Sequence, residues 1–412
     1  MIIDFTVENF LSFREQQTLS FIADNKNLAH SNHLLATPIK DLKLLKVAVI
    51  YGPNASGKSN FLSALHRLKK LVVNSVSHSP NDETKILPFK LDKESRVTPS
   101  TFELNFLCNG IRYNYLIELD SQRVYFEHLS YYPKKYKKNI FTRQLDDTNE
   151  YFYSFGDDLK PKRIYEDIAI RTSENVLFLS KAVQDNSKFL KPIYDWFDQV
   201  LVEQTSLEDA AKKIYSDDTF KKQFLNFISK QDIDIVNVNV DPSSLAEKIL
   251  KSDKNIPPEM KEKIMSNFKD EMVYDIQTVH KDIDGDLVPF EFGLESNGTH
   301  KLFALAPLVV KNSEEPTKTF YVDELSSALH PLLVRNFLKT FHENDNQMIC
   351  VTHDTHLIDP DFLRKDQIYF VEKDNDQASS LYSLLEFNPR NDRENWELRY
   401  LSGRYGATPF LK

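Results

Sequence analysis

Gly52-Pro53-Asn54-Ala55-Ser56-Gly57-Lys58-Ser59 stands between two segments of different periodicity. Before it, Leu44-Leu45-Lys46-Val47-Ala48-Val49-Ile50-Tyr51 is an almost unbroken apolar run, the pattern of a strand buried on both faces. After it, Asn60-Phe61-Leu62-Ser63-Ala64-Leu65-His66-Arg67-Leu68 repeats its apolar residues at helical spacing. Strand, glycine-bracketed loop, Gly-Lys-Ser and helix together make the Walker A arrangement. Each part has a physical task. Gly52 and Gly57 let the backbone curl so that successive N–H groups face one anion. The helix adds its positive N-terminal end. Lys58 is placed to meet β- and γ-phosphates, and Ser59 to offer a hydroxyl to Mg²⁺; Pro53, Asn54, Ala55, Ser56 and Asn60 complete the cradle. The stretch predicts a site for a nucleoside triphosphate, read here as ATP with Mg²⁺.

A second stretch supplies the other half. Phe320-Tyr321-Val322-Asp323-Glu324 is an apolar strand ending in two acids, the Walker B pattern. Asp323 is placed to hold Mg²⁺, directly or through water. Glu324 can polarise the water that attacks the γ-phosphate. Walker A and Walker B lie far apart in the chain, which disfavours a conventional AAA+ motor. The chain has no Asn-Lys-x-Asp guanine motif, which disfavours a GTPase.

Composition bounds the rest. The chain has 412 residues, enough for two or three structural units, with 41% hydrophobic and 27% charged residues. A formal net charge of −9 argues against general coating of nucleic acid. The two cysteines, Cys108 and Cys350, lie inside apolar runs and predict buried thiols rather than a disulfide framework or zinc site. No signal peptide or bilayer-length apolar segment is visible, so a cytoplasmic protein without membrane contact is expected.

Around the two motifs the pattern alternates between sheet types. Ile2 to Phe10 and Gln17 to Phe21 read as paired strands. Thr101–Leu107, Arg112–Leu119 and Arg123–Leu129 read as an antiparallel sheet, with Asn109-Gly110 as a hairpin turn. Lys134-Lys135-Tyr136-Lys137-Lys138 has two readings, a solvated hairpin tip or a contact for nucleic acid or an acidic partner. From Ser187 helical stripes take over. One runs from Phe189 to Leu201, one from Phe220 to Ile228, and one through Met260, Ile264, Met265, Phe268 and Met272. These stripes read as the core of an insertion, with Ile233–Val240 returning to the sheet. The expected organisation is a composite head over 1–186 and 274–412, with a mainly helical insertion over 187–273. Beyond Walker B, strand and helix alternate as in a parallel α/β sheet. The fold class is α/β, a P-loop NTPase with an antiparallel β subdomain.

Two further motifs carry a resemblance. Leu294-Glu295-Ser296-Asn297-Gly298-Thr299-His300-Lys301 precedes Walker B and opens an apolar helix, and Val351-Thr352-His353-Asp354 follows it. In these the sequence resembles the ABC-type ATPases, with a signature before Walker B and a switch histidine after it. Leu325-Ser326-Ser327-Ala328-Leu329-His330-Pro331 resembles the D-loop region of the branch related to SMC and OLD proteins. Asn297 and Thr299 depart from the transporter form of the signature and suit that branch. Asn9-Phe10-Leu11-Ser12-Phe13 and Tyr400-Leu401-Ser402-Gly403-Arg404-Tyr405-Gly406-Ala407-Thr408-Pro409 extend the likeness to bacterial phage-defence ATPases of the RloA, AbiL and PARIS AriA kinds.

The resemblance implies a head-to-tail homodimer or higher oligomer with composite ATP sites. Ser296, Asn297 and Gly298 of one chain would face Lys58 of another, and His353 would orient water and γ-phosphate. It also implies a Q-loop residue holding nucleotide and Mg²⁺; Gln184, after the apparent strand Val176–Ser180, is the candidate. No nuclease, Toprim or peptidase constellation follows His353. The implied role is therefore a defence sensor or scaffold, toxin–antitoxin-like, that controls a separate effector encoded nearby. The alternative is a DNA-repair or chromosome-maintenance ATPase that grips DNA directly.

Overall fold

The computed structural model describes residues 1–203, 206–252, 256–268, 271–310, 317–390 and 394–409. It divides into two compact units, the first made of Met1–Glu203, Pro316–Leu325 and His342–Lys412, the second of Gln204–Glu315 and Ser326–Phe341.

The first unit contains two large sheets. In one, strands run in the order Leu201–Glu203, Thr319–Val322, Gln347–Val351, Val47–Tyr51, Ile368–Lys373 and Ser379–Ser383. All neighbours are parallel except the last pair. Val47–Tyr51, Thr319–Val322 and Gln347–Val351 are buried along their whole length, as their mainly apolar sequence requires, and the two polar residues that open the latter strands meet each other, Thr319 Oγ1 donating to Gln347 Oε1 at 3.2 Å. The other sheet is antiparallel and has seven strands: Tyr151–Phe155, Lys138–Leu145, Val124–Tyr132, Ile111–Leu119, Ser100–Cys108, Ile2–Glu8 and Gln17–Ser20. Asn109 and Gly110 both take positive φ at the tight turn, as the hairpin expectation needs. The helix Lys58–Asn74 buries Phe61, Ala64, Leu65, Leu68, Leu71 and Val72, and Phe61 meets Phe5 edge-on at 5.4 Å. Both cysteines are buried and unpaired.

The second unit combines a three-stranded antiparallel sheet, Asn237–Ser244, Met272–Lys281 and Leu287–Glu291, with helices that include Leu207–Ser216, Asp218–Ser229 and Asn297–Val309. Phe224 and Phe303 join two of these helices, ring to ring at 4.7 Å.

This division corrects the expected insertion over 187–273. Residues 187–203 belong to the first unit because their apolar stripe packs on its antiparallel sheet. Trp196 lies 4.4 Å from Phe106, and Phe197 lies 5.8 Å from Tyr115, between ring centres. The second unit instead runs on through the signature helix and takes in Ser326–Phe341. Ile233–Val240 does not join the large sheets among the described residues; Asn237–Ser244 pairs with Met272–Lys281 at the edge of the three-stranded sheet. The methionine stripe is not core either, since Met260, Met265 and Met272 are exposed. Short segments of the expected head and insertion, at 204–205, 253–255, 269–270, 311–316, 391–393 and 410–412, lie outside the described residues.

Candidate nucleotide site

The phosphate loop leaves the central strand Val47–Tyr51 and enters the helix Lys58–Asn74. Gly52 has φ +152° and Gly57 φ +110°. A Cβ on Gly52 would collide with the carbonyl of Val371, and one on Gly57 with the hydroxyls of Ser379 and Ser12. Only glycine fits these two positions. No side chain caps the helix at Gly57, and no acid lies in its first turn, so its N-terminal end keeps the positive potential that suits phosphate.

The loop is braced from outside by a chain of hydroxyls. Asn60 Nδ2 donates to Ser12 Oγ at 2.8 Å, Ser12 Oγ lies 2.8 Å from Ser379 Oγ, and Ser379 Oγ donates to the Ser56 carbonyl at 2.6 Å. Ser379 also donates its backbone N–H to the Ser12 carbonyl at 2.7 Å. Sequence reading missed Ser379, because nothing local marks it. Ser12 lay in the quoted Asn9–Phe13 stretch, but without a role.

Lys58 is buried and turns back on the loop, donating to the carbonyls of Gly52 and Pro53 at 2.9 Å each. Burial lowers its pKa, while Asp323 and Glu324 oppose that shift. Ser59 is exposed at the helix start.

The acids follow the strand Thr319–Val322. Between this strand and the phosphate-loop strand runs Gln347–Val351, which leads into His353, so the three motifs leave adjacent parallel strands at the same end. Asp323 and Glu324 are exposed, and the Glu324 N–H donates to Asp323 Oδ1 at 3.0 Å. Glu324 sits at φ +48°, a left-handed conformation that a non-glycine residue holds only when its surroundings impose it. The next residue supplies the constraint: Leu325 N–H donates to the Val351 carbonyl at 2.8 Å, tying the acidic turn to the strand Gln347–Val351. His353 is exposed. Its pKa is lowered by desolvation and then by Lys58, against the pull of Glu324 and Asp323. Lys58, Asp323, Glu324 and His353 thus form one electrostatic group.

The carboxylate of Asp323 and the hydroxyl of Ser59 are hard oxygen donors of the type Mg²⁺ takes. Among the described residues no group of three or more His, Cys, Asp or Glu could hold a metal by itself. A cation held by Asp323 and Ser59 would take its remaining ligands from phosphate oxygens or water.

Gln184 is placed differently from expectation. Val176–Ser180 is not a strand; Phe178–Gln184 is a short helix. The buried carboxylate of Glu127 accepts the N–H groups of Phe178 at 2.6 Å and Leu179 at 3.0 Å, which fixes the first helical turn. Gln184 ends that helix, exposed, with its amide oxygen accepting from Lys181 at 2.8 Å.

The signature residues belong to the second unit. Ser296 caps the helix Asn297–Val309, accepting the Thr299 N–H at 3.1 Å, and both Ser296 and Asn297 are exposed. Gly298 passes so close to the Ala328 carbonyl that a Cβ would stand 2.9 Å from it. The signature and the loop after Walker B therefore fit together within this unit.

The chain belongs to the family described as "AAA domain, putative AbiEii toxin, Type IV TA system", which matches residues 47–359, from the phosphate-loop strand past His353. The fold is that of a P-loop NTPase. Among solved structures the chain is similar to the SMC head domain from Thermotoga maritima, at 16% identity over 93% of this chain and 98% of that one, with a TM-score of 0.40. It is also similar to an SMC head bound to the C-winged helix domain of ScpA, at 13% identity over 93% and 97% of the two chains, with a TM-score of 0.40. No curated protein matches it. Among the described residues no helix is long and apolar enough to cross a membrane.

Proposed function

We propose that the chain is an ABC-type ATPase that hydrolyses ATP with Mg²⁺ at composite sites between two copies. The convergence of Lys58, Asp323, Glu324 and His353 at the ends of three adjacent parallel strands carries this reading. Phosphoryl transfer asks a protein mainly for positioning and charge neutralisation. Lys58 would leave the carbonyls of Gly52 and Pro53 for β- and γ-phosphate oxygens. The N–H groups of the loop and helix would hold the remaining phosphate charge. Mg²⁺, held between Ser59, Asp323 and the phosphates, would neutralise charge on the triphosphate. Glu324 would orient and deprotonate the attacking water, and His353 would hold water and γ-phosphate in line. Ser296 and the N-terminal end of its helix would come from the second copy. Gln184 becomes a nucleotide or Mg²⁺ contact only if its helix end rearranges.

In the cell, we read this ATPase as a phage-defence sensor or scaffold, cytoplasmic, that governs a separate effector through ATP-dependent pairing. The family description, which joins an AAA domain to a toxin–antitoxin system, supports this reading. The test is a phage challenge of cells carrying the gene with its neighbours. Protection lost on Glu324→Gln, with the protein still expressed, supports it; protection unchanged in that variant sinks it.

The direct DNA-gripping reading rests on one observation. Lys134–Lys138 lies at the hairpin tip between Val124–Tyr132 and Lys138–Leu145, fully exposed, with Tyr136 79% exposed among four lysines. ATPase stimulation by DNA that falls steeply with salt would favour it.

A further inference from the structure

Glu295 stands directly before the signature serine, an awkward place for a carboxylate. A free acid next to a helix N-terminus would repel any phosphate brought to it. Its side chain is instead only 13% exposed and is drawn onto the three-stranded sheet. There Oε1 accepts from the Thr278 hydroxyl and from His280 Nε2, the latter at 2.7 Å. Thr278 is fully buried on the middle strand, opposite Val238 on one side and Phe290 on the other. It is therefore among the least movable anchors available.

The same segment is pinned a second time. The Phe292 carbonyl accepts from His300 Nε2 at 2.8 Å and from the Glu295 N–H at 3.0 Å. The Phe292 ring packs on His300 and Phe303 at 4.5 and 4.6 Å. On its other side the signature turn is limited by the close approach of Gly298 to Ala328. The approach to Ser296 is thus fixed by one buried acid, one aromatic ring and one glycine. The acid links it to the sheet through its side chain.

We propose that Glu295 is a positioning residue for the signature: held by Thr278 and His280, its carboxylate aims Ser296 and the first N–H groups of the helix at a γ-phosphate presented by a second copy. This rests on the composite-site reading above. Releasing the clamp has two consequences. The turn before Ser296 loses its anchor, and a negative charge is freed beside the phosphate position.

These consequences separate in three variants. His280→Phe removes a donor and frees the charge. Glu295→Gln keeps an acceptor for both donors and removes the charge. The double variant loses the His280 contact but has no charge to free. A positional error near 1 Å costs about 10²-fold in rate, so His280→Phe should lose about that factor in kcat and should dimerise poorly with ATP. ATP affinity of the separate chain, read with a fluorescent ATP analogue at dilute protein, should stay at the wild-type value. Glu295→Gln should stay close to wild type. Adding it to His280→Phe should recover the part of the loss that the freed charge causes and leave the part that the lost anchor causes, which a merely structural role for His280 would not allow. Wild-type kcat in His280→Phe overturns the inference alone. So does an equal loss in single-chain ATP affinity, or a double variant no better than His280→Phe. Wild-type protein that neither pairs nor hydrolyses with ATP overturns the composite-site reading beneath it, and this inference with it.

Discussion

Ser379→Ala is the most informative change to the phosphate loop, because it alters neither a nucleotide ligand nor a residue of the loop and removes only a brace on it. The hydroxyl of Ser379 is the donor on which these contacts converge. Asn60 donates to Ser12 Oγ, and Ser379 Oγ shares its one proton between Ser12 Oγ and the carbonyl of Ser56. Removing that hydroxyl leaves the Ser56 carbonyl and the Ser12 oxygen without that donor. Both Ser12 and Ser379 are buried. Leaving a buried polar partner unmet costs roughly 1–3 kcal/mol, and the deleted oxygen is too small for its cavity to add much. Urea denaturation of the nucleotide-free protein should show a loss of about that size. If the hydroxyl chain sets the shape of the loop, ATP affinity measured by calorimetry should fall by about 10-fold, the equivalent of about 1.4 kcal/mol. A stability loss with unchanged ATP affinity would refute the argument: the chain would then brace the fold and not the cradle.

Lys58→Ala should lose ATP binding while remaining folded, and Glu324→Gln should retain ATP but lose turnover; phosphate release and nucleotide retention on a desalting column report both. Wild-type turnover in Glu324→Gln would remove Glu324 from the mechanism. Acid should destabilise the protein through His33, which is stacked on His342 at 3.5 Å and which burial pulls down to about 4 from an ordinary 6.5. The unfolded chain then binds the proton first, so stability falls as pH drops from about 6.5 towards 4, by at most about 3 kcal/mol. His33→Phe should flatten the curve in that window, and an unchanged slope would refute the assignment. Replacing Lys134, Lys135, Lys137 and Lys138 by Ser should change stability by no more than about 0.5 kcal/mol. Unchanged DNA binding and unchanged co-purification with the neighbouring gene product would leave that hairpin a solvated tip.

The central motifs were legible because their chemistry is local. Gly52 to Ser59 needs only its own glycines and the following helix, and Asp323-Glu324 needs only the apolar strand before it. What escaped depends on distant pairing. Ser379 reaches the loop because its strand is antiparallel to Ile368–Lys373, which lies beside Val47–Tyr51. Val176–Ser180 is an apolar run too short for periodicity to separate strand from helix; the carboxylate of Glu127, on a strand far upstream, decides for helix. Met272–Lys281 is mostly half-buried and Leu287–Glu291 mostly exposed, so they carry no clean alternation to announce a sheet. Of the stripe read as helical from Phe189 to Leu201, Lys191–Val200 is helical and Leu201 opens a strand, and the stripe lies in the first unit rather than in the expected insertion, since a stripe says that a face is buried and not against what.

The composite site is the claim on which the account turns, and subunit mixing tests it most directly. Ser296→Arg and Lys58→Ala should each be nearly inactive alone, the first because losing one well-placed phosphoryl donor costs about 10²–10³ in rate. Mixed and allowed to exchange, they form pairs with one doubly broken site and one intact site, the latter joining Lys58 of the Ser296→Arg chain to Ser296 of the Lys58→Ala chain. Recovery of ATPase activity in the mixture, with ATP-dependent pairing seen by light scattering, is the predicted result. Normal hydrolysis by Ser296→Arg as a single chain would contradict it, and the ABC-type reading would fall with it.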